Sequence, residues 1–204
     1  MSKAAEQKVL LRRSLRSLRQ QLGHSAQALA AHSLTDIVEQ LPQWPQVRTL
    51  ALYRAADGEI GTDPLTARAR QLGKEIHLPV IGADQTLSFA LWASGVPLRP
   101  NRYGIGEPPT DAPRCSATEL DLLFLPVVAW DASGGRLGMG GGFYDRTLGT
   151  AEHAPGTKPL LVGLAHDCQE VARIPQEPWD RTLDFIATGS RLLDCSRTTR
   201  ADFD

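Results

Sequence analysis

The sequence predicts a single α/β domain, with a mostly parallel central sheet flanked by helices. Three observations predict it. Strand-like and helix-like segments alternate along most of the 204 residues, the pattern of a parallel sheet with crossover helices. Residues 122–129 are continuously apolar, as expected of a central strand covered on both faces. The loops 54–61, 134–146 and 166–167 each follow a strand-like run. They would therefore gather at the carboxyl ends of the strands, where such sheets bind ligands.

In chain order, residues 3 to about 22 are strong helix formers with no proline, and no glycine before Gly23. Val9, Leu10, Leu11, Leu15, Leu18 and Leu22 recur at helical spacing and give one apolar stripe. The polar side is basic: Lys3, Lys8, Arg12, Arg13, Arg16 and Arg19 stand against Glu6. Lys8, Arg12, Arg16 and Arg19 share a face, which either lies in solvent or reaches an anion held elsewhere in the fold. Ser25 is the expected N-cap of a second helix that buries Ala26, Leu29, Ala30, Leu34, Ile37, Val38 and Leu41 and ends at Pro42 and Pro45.

Residues 47–53 read as a strand. Thr62 or Asp63, followed by Pro64, starts a helix that runs to about Leu72. Short strands are expected at 75–79 and 87–92. Residues 96–117 form a long irregular segment, and long loops in compact domains are more often functional than idle. After the 122–129 strand come a glycine-rich stretch, a helix over 144–151, a buried strand over 160–165, a proline-containing link over 174–180 and a short strand around 185–188. The expected domain spans 1–195, with an N-terminal helical segment at 3–41 and a polar tail at 196–204.

Lys+Arg 22 against Asp+Glu 23 leaves a net charge of -1, so global charge points neither to nucleic acid nor to a membrane. The longest apolar run, 122–130, is too short to cross a bilayer, and the Met1 end lacks a secretory-signal pattern. Cys115, Cys168 and Cys195 fit neither a disulfide framework nor a zinc knuckle. The expected setting is a reducing cytoplasm.

The informative stretch is 134–146, Gly-Gly-Arg-Leu-Gly-Met-Gly-Gly-Gly-Phe-Tyr-Asp-Arg, with six glycines in thirteen residues. A glycine loop between strand and helix lets bare N–H groups surround a phosphate at the positive end of the helix dipole. It is not a Walker A loop, because no Gly-Lys-Ser/Thr follows. As a dinucleotide fingerprint it is poor, since Phe143 stands where the third glycine belongs. Arg136 and Arg146 flank the glycines and can meet phosphate oxygens. Asp145, in the first helical turn, is a hard oxygen ligand able to hold Mg²⁺ against that phosphate, though the helix dipole alone would also favour an acid there.

This stretch resembles the signature of the 5-formyltetrahydrofolate cyclo-ligase family, Asn/Gly-Arg-Leu-Gly-x-Gly-x-Gly-Tyr/Phe-Tyr-Asp. The resemblance runs from Lys8 to about Thr188. It takes in Lys8-x-x-x-Arg12, Asp57-Gly58-Glu59-Ile60, the Pro126 strand and Asp180-x-x-x-Asp184, and it is to bacterial members. The resemblance implies a Rossmann-like fold of the sugar-phosphate-isomerase and CoA-transferase kind. It implies an enzyme that cyclises 5-formyltetrahydrofolate to 5,10-methenyltetrahydrofolate with ATP. The formyl oxygen would attack the γ-phosphate, N10 would close on the activated carbon, and phosphate would leave. Positioning and charge neutralisation carry such a transfer.

By the same resemblance, ATP contacts are expected at Lys8, Arg12, Arg136, Leu137, Gly138, Met139, Gly140, Gly141, Gly142, Phe143 and Tyr144. Folate contacts are expected at Arg12, Arg54, Glu59, Tyr103 and the loop residues Met139, Gly140, Gly141, Gly142 and Phe143. The Glu59 carboxylate can pair with pterin N–H donors or be an ordinary turn carboxylate; Tyr103 stacks near the folate or is an exposed loop tyrosine. Mg²⁺ is expected at Asp145 and Asp184, the latter alternatively a strand-end cap. No catalytic acid or base is assigned, so His166 and Asp167 stay outside the set, and Arg13, Arg16 and Arg19 stay on a solvated face. Some relatives place Arg and Lys where this chain has Met139 and Gly141. Either Arg146 and the N-terminal helix compensate, or nucleotide affinity is lower. The expected partners are 5-formyltetrahydrofolate and ATP, with no nucleic acid and no membrane, on a monomer or weak homo-oligomer. Two rival readings are a folate-binding regulatory homologue without turnover and a sugar-phosphate-isomerase-like enzyme on a related scaffold.

Overall fold

The computed structural model describes residues 3–150, 158–177 and 180–198. Helices α1 (Lys3–Gln20) and α2 (His24–Val38) precede β1 (Thr49–Ala51), α3 (Asp63–Gln71), β2 (Glu75–Ile81) and β3 (Leu87–Leu91). In the irregular segment β4 (Arg99–Pro100) pairs with β5 (Gly106–Glu107), and β6 (Arg114–Cys115) joins β3. Then follow β7 (Leu122–Pro126), the hairpin of β8 (Ala129–Trp130) and β9 (Arg136–Leu137), α4 (Phe143–Thr150) and β10 (Leu160–Leu164). The chain closes with β11 (Phe185–Ala187), β12 (Leu192–Asp194) and a helical turn, α5 (Cys195–Thr198).

The main sheet runs β12-β11-β10-β7-β1-β2-β3-β6. Strands β11, β10, β7, β1 and β2 are parallel, and β12, β3 and β6 add antiparallel edges. This is the α/β architecture expected. Alternate residues of a strand face opposite sides, and both sides are apolar here. Leu50, Leu122 and Phe124 pack with Leu34 and Val38 on one face, whereas Ala51, Leu123 and Leu125 pack with Trp130 and Ile186 on the other. That is why 122–126 has no polar alternation.

Four expectations need correction. The 122–129 run is not one strand. Pro126 has no N–H to continue the ladder, so β7 stops there and the next residues turn into the β8–β9 hairpin. The Gln169 side-chain amide covers the break, donating to the carbonyls of Val127 and Val128 at 2.7 and 2.9 Å. Gly23, not Ser25, is the N-cap of α2, and no side-chain bond caps that helix. Ala26 and Leu29 of α2 are exposed, while Ala31, Leu34 and Val38 are buried. Last, the apolar stripe of α1 is not its buried face. Val9, Leu10 and Leu18 are exposed, Leu15 is buried, and Arg19 is completely buried. This helix lies against β8 and the turn at 167–169, where Leu15 joins Val128, Ala129, Leu137 and Ile174 in a small apolar cluster, so it is the hairpin and not the sheet face that sets what it buries. At the other end, β12 and the helical turn α5 run to Thr198. Residues 199–204, and Ala151 of the expected 144–151 helix, lie outside the described residues.

Candidate active site

The glycine loop is held at both ends. Buried Asp131 fixes the hairpin before it, accepting from Ser133 N at 3.0 Å, Ser133 Oγ at 2.7 Å, Gly135 N at 3.0 Å and Ile174 N at 2.7 Å. Beyond it, Thr147 of α4 accepts from Leu87 N at 2.8 Å and so pins the helix to β3. Between these anchors, Gly138 to Gly142 lie next to cations that arrive from elsewhere in the sequence. Arg12 Nε donates to the Gly138 carbonyl at 2.9 Å. Arg146 donates to the Gly141 carbonyl and lies over the Phe143 ring, 5.5 Å from its centroid. Arg136, with a side chain only 6% exposed, ion-pairs with Asp145, and its buried Nε has no partner among the described residues.

Lys8 Nζ meets Asp180 Oδ2 at 2.8 Å. Burial lowers the Arg12 pKa, opposed by the Asp180 charge. The structure therefore brings Lys8, Arg12, Arg136, Asp145 and the loop from Leu137 to Tyr144 to one end of the sheet. It adds Asp180 to them.

Beside the loop sits the 57–59 turn. Asp57 and Gly58 both have positive φ, 53° and 75°. A Cβ on Gly58 would stand 3.1 Å from the Arg19 carbonyl and the Gln20 Cα, so this turn rests on the α1 backbone where only glycine fits. Arg16 Nε and Arg19 Nη2 bind Asp57 Oδ2 at 2.8 and 2.9 Å, and Gln20 binds its other oxygen. Hydrogen bonding from Arg16, with Arg19 and Gln20 adding to it, holds the Asp57 pKa down at about 2 against the effect of burial. Glu59 differs. Burial raises its pKa, opposed by a backbone N–H bond from Ala56 (3.0 Å) and by the Arg19 charge. Tyr53 and Tyr144 are neighbours whose hydroxyl pKa values rise, first through burial and then through the Glu59 charge. Glu59 is thus a half-buried carboxylate, its side chain 13% exposed, between α1 and the start of α4, which suits recognition of N–H donors.

Tyr103 is 55% exposed and meets Phe143 edge-on, ring centroids 6.5 Å apart, so the irregular segment does reach the glycine loop. Arg54 pairs with Asp63 and lies over Trp92. Asp184 is elsewhere. It precedes β11, accepts from Leu161 N at 2.8 Å, and has Asp194 and Lys158 as its charged neighbours. It lines a cleft of about 730 Å³ with Val47, Asp121 and Leu160, at the amino-terminal starts of the parallel strands. The expected metal pair Asp145 and Asp184 is therefore not brought together. The strand-end role, satisfying a backbone N–H, is the one Asp184 has.

Three residues of this site were outside the expected set. Arg19 reads from the sequence as a solvated charge, but it is buried; its step of three from Arg16 is legible in the sequence, its partner 38 residues away is not. Asp57 stands in the Asp57-Gly58-Glu59-Ile60 motif, where the resemblance assigns a role to Glu59 alone. Of Asp180-x-x-x-Asp184 the sequence favours the second acid. The signal for Asp180 is the need of Lys8 for a carboxylate.

A family model described as the 5-formyltetrahydrofolate cyclo-ligase family matches residues 4–189. The chain is 37% identical over 182 residues to the 5-formyltetrahydrofolate cyclo-ligase of Haemophilus influenzae, covering 88% of this chain and 96% of that one. It is 40% identical over 156 residues to the enzyme of that name from Escherichia coli K12, covering 75% and 84%. The NMR structure of Aquifex aeolicus 5,10-methenyltetrahydrofolate synthetase superposes with a TM-score of 0.79 at 28% identity, covering 92% of each chain.

Proposed function

The chain belongs to the 5-formyltetrahydrofolate cyclo-ligase family, and we propose on that footing that it closes 5-formyltetrahydrofolate to 5,10-methenyltetrahydrofolate at the expense of ATP. The formyl oxygen attacks the γ-phosphorus as the bond to the bridging oxygen breaks, and ADP leaves. The N10 lone pair then adds to the formyl carbon. The C–O bond breaks, phosphate departs with the former formyl oxygen, and N10 gives up its proton. An amide oxygen leaves poorly until it is phosphorylated, so ATP supplies the leaving group.

The protein's share is positioning and charge. Lys8, Arg12, Arg136 and Arg146 are read as neutralising phosphate oxygens around the glycine loop, where charge develops during transfer. Glu59 is read as the acceptor for pterin N–H groups, with Tyr103, Phe143 and Arg54 at the edge of the folate site. The observation that carries this reading is that α1 touches both halves. Arg12 holds Gly138 on the nucleotide side, and Arg19 holds Asp57 beside Glu59.

Mg²⁺ fits these residues in a limited sense. No group of three His, Cys, Asp or Glu gathers among the described residues, so the donors suit a metal carried in on ATP phosphates and held by one or two carboxylates. Asp145 and Asp180 are those carboxylates, each already balanced by a cation. When bound, the metal would neutralise phosphate charge.

The test is absorbance of the methenyl product from 5-formyltetrahydrofolate, with and without MgATP. An ATP-dependent rise matched by ADP release is expected. Folded protein that binds folate but gives no rise would favour the regulatory homologue.

A further inference from the structure

We propose that Arg19 is the positioning residue that locks the 57–59 turn into its folate-binding shape and ties it to the glycine loop. The idea rests on the reading of Glu59 as the pterin contact. Arg19 is completely buried, yet it belongs to a helix whose leucines at 10 and 18 are exposed. A buried guanidinium is costly unless every donor is used, and here they are spread over three segments. Nε donates to the Asp57 carbonyl at 2.9 Å, and Nη2 meets Asp57 Oδ2 at 2.9 Å. Nη1 donates to the Val127 carbonyl at 3.2 Å, just past the end of β7. Nη2 also stands 3.8 Å from Glu59 Oε1 and 3.7 Å from Met139 Sδ.

One planar fork thus touches both acids of the turn, the strand end beneath them and the Met139 side chain of the glycine loop. Lysine offers a point charge and cannot span these partners. The turn needs such a clamp, because Asp57 is a non-glycine residue held at positive φ, a conformation that persists only where its surroundings impose it.

The groups facing Glu59 make the consequence directional. Arg19 comes from α1, Asp57 from its own turn, Tyr53 from beyond β1 and Tyr144 from α4. His166, after β10, faces the same guanidinium and Gly58. Arg19 is the cation that offsets burial of the Glu59 carboxylate. Displacing it favours the protonated acid, so folate affinity should fall off at a higher pH on the acid side.

Arg19→Lys tests this in the whole enzyme, with folding checked by circular dichroism. The Michaelis constant for 5-formyltetrahydrofolate should rise about tenfold while that for ATP moves less than about threefold. The acid rise of the folate constant should begin at higher pH than in the native protein. Combined with Glu59→Gln, Arg19→Lys should add less than about threefold, because both act through one contact. A folded Arg19→Lys protein with an unchanged folate constant would overturn the proposal. So would the same tenfold loss in the Glu59→Gln background. If Arg19→Lys does not fold, Asp57→Asn removes the clamp from the other side, and an unchanged folate constant there overturns it equally. Native protein without ATP-dependent turnover would instead sink the functional reading, which separates the two failures.

Discussion

Arg12 Nε donates to the Gly138 carbonyl at 2.9 Å, joining residues 126 positions apart. A glycine loop with no cation between Gly138 and Gly142 thereby acquires one from the first helix. Arg12→Ala should leave the sheet intact and cut kcat/KM for ATP by about 10- to 100-fold, the range for a charge-assisted phosphate contact. Steady-state kinetics in ATP checks it. An unchanged ATP term would move the phosphate away from this loop.

Two neighbouring glycines should behave differently. Gly140 has φ of +99°, and a Cβ there would lie 3.5 Å from the Arg12 guanidinium; Gly138 has open space around its Cβ position. Gly140→Ala should cost about 1 kcal/mol or more in backbone strain and impair ATP use, whereas Gly138→Ala should leave stability near native. Thermal melts and ATP kinetics on both variants decide this.

Asp145 and Asp184 should separate cleanly. Asp145→Ala should shift the Mg²⁺ concentration needed for turnover upward. Asp184→Ala should leave that requirement unchanged and cost about 1 kcal/mol, because it strips the Leu161 N–H of its acceptor at a solvent-exposed site. A Mg²⁺ titration of turnover, beside urea unfolding, reads both.

Asp57 gives a pH prediction. Its pKa is held to about 2 in the folded protein, below the usual carboxylate value near 4. The stability it contributes is therefore present above about pH 4 and lost as pH falls towards 2. For a side chain a quarter exposed, screening leaves that contribution at about 1 kcal/mol. Asp57→Asn should lack it at neutral pH and show a flatter loss of stability between pH 4 and 2.

What the sequence made legible was the part written locally. The apolar run at 122–126, the glycines with Asp145 following, and Lys8 with Arg12 all sit where their neighbours explain them. What it hid depends on partners far along the chain. Arg19 reads as one more charge on a basic helix until Asp57 folds against it. Asp180 and Asp184 are equivalent on paper, because only tertiary placement puts one beside Lys8 and the other at the start of β11. Leu10 and Leu18 share an apolar stripe with Leu15, but helical spacing says which residues share a face, not which face meets the core.

The most direct test of the account follows the formyl oxygen. With 5-formyltetrahydrofolate carrying ¹⁸O in the formyl group, the released inorganic phosphate should contain one ¹⁸O per turnover by mass spectrometry. Unlabelled phosphate, with the ¹⁸O appearing in water, would contradict attack of that oxygen on the γ-phosphate.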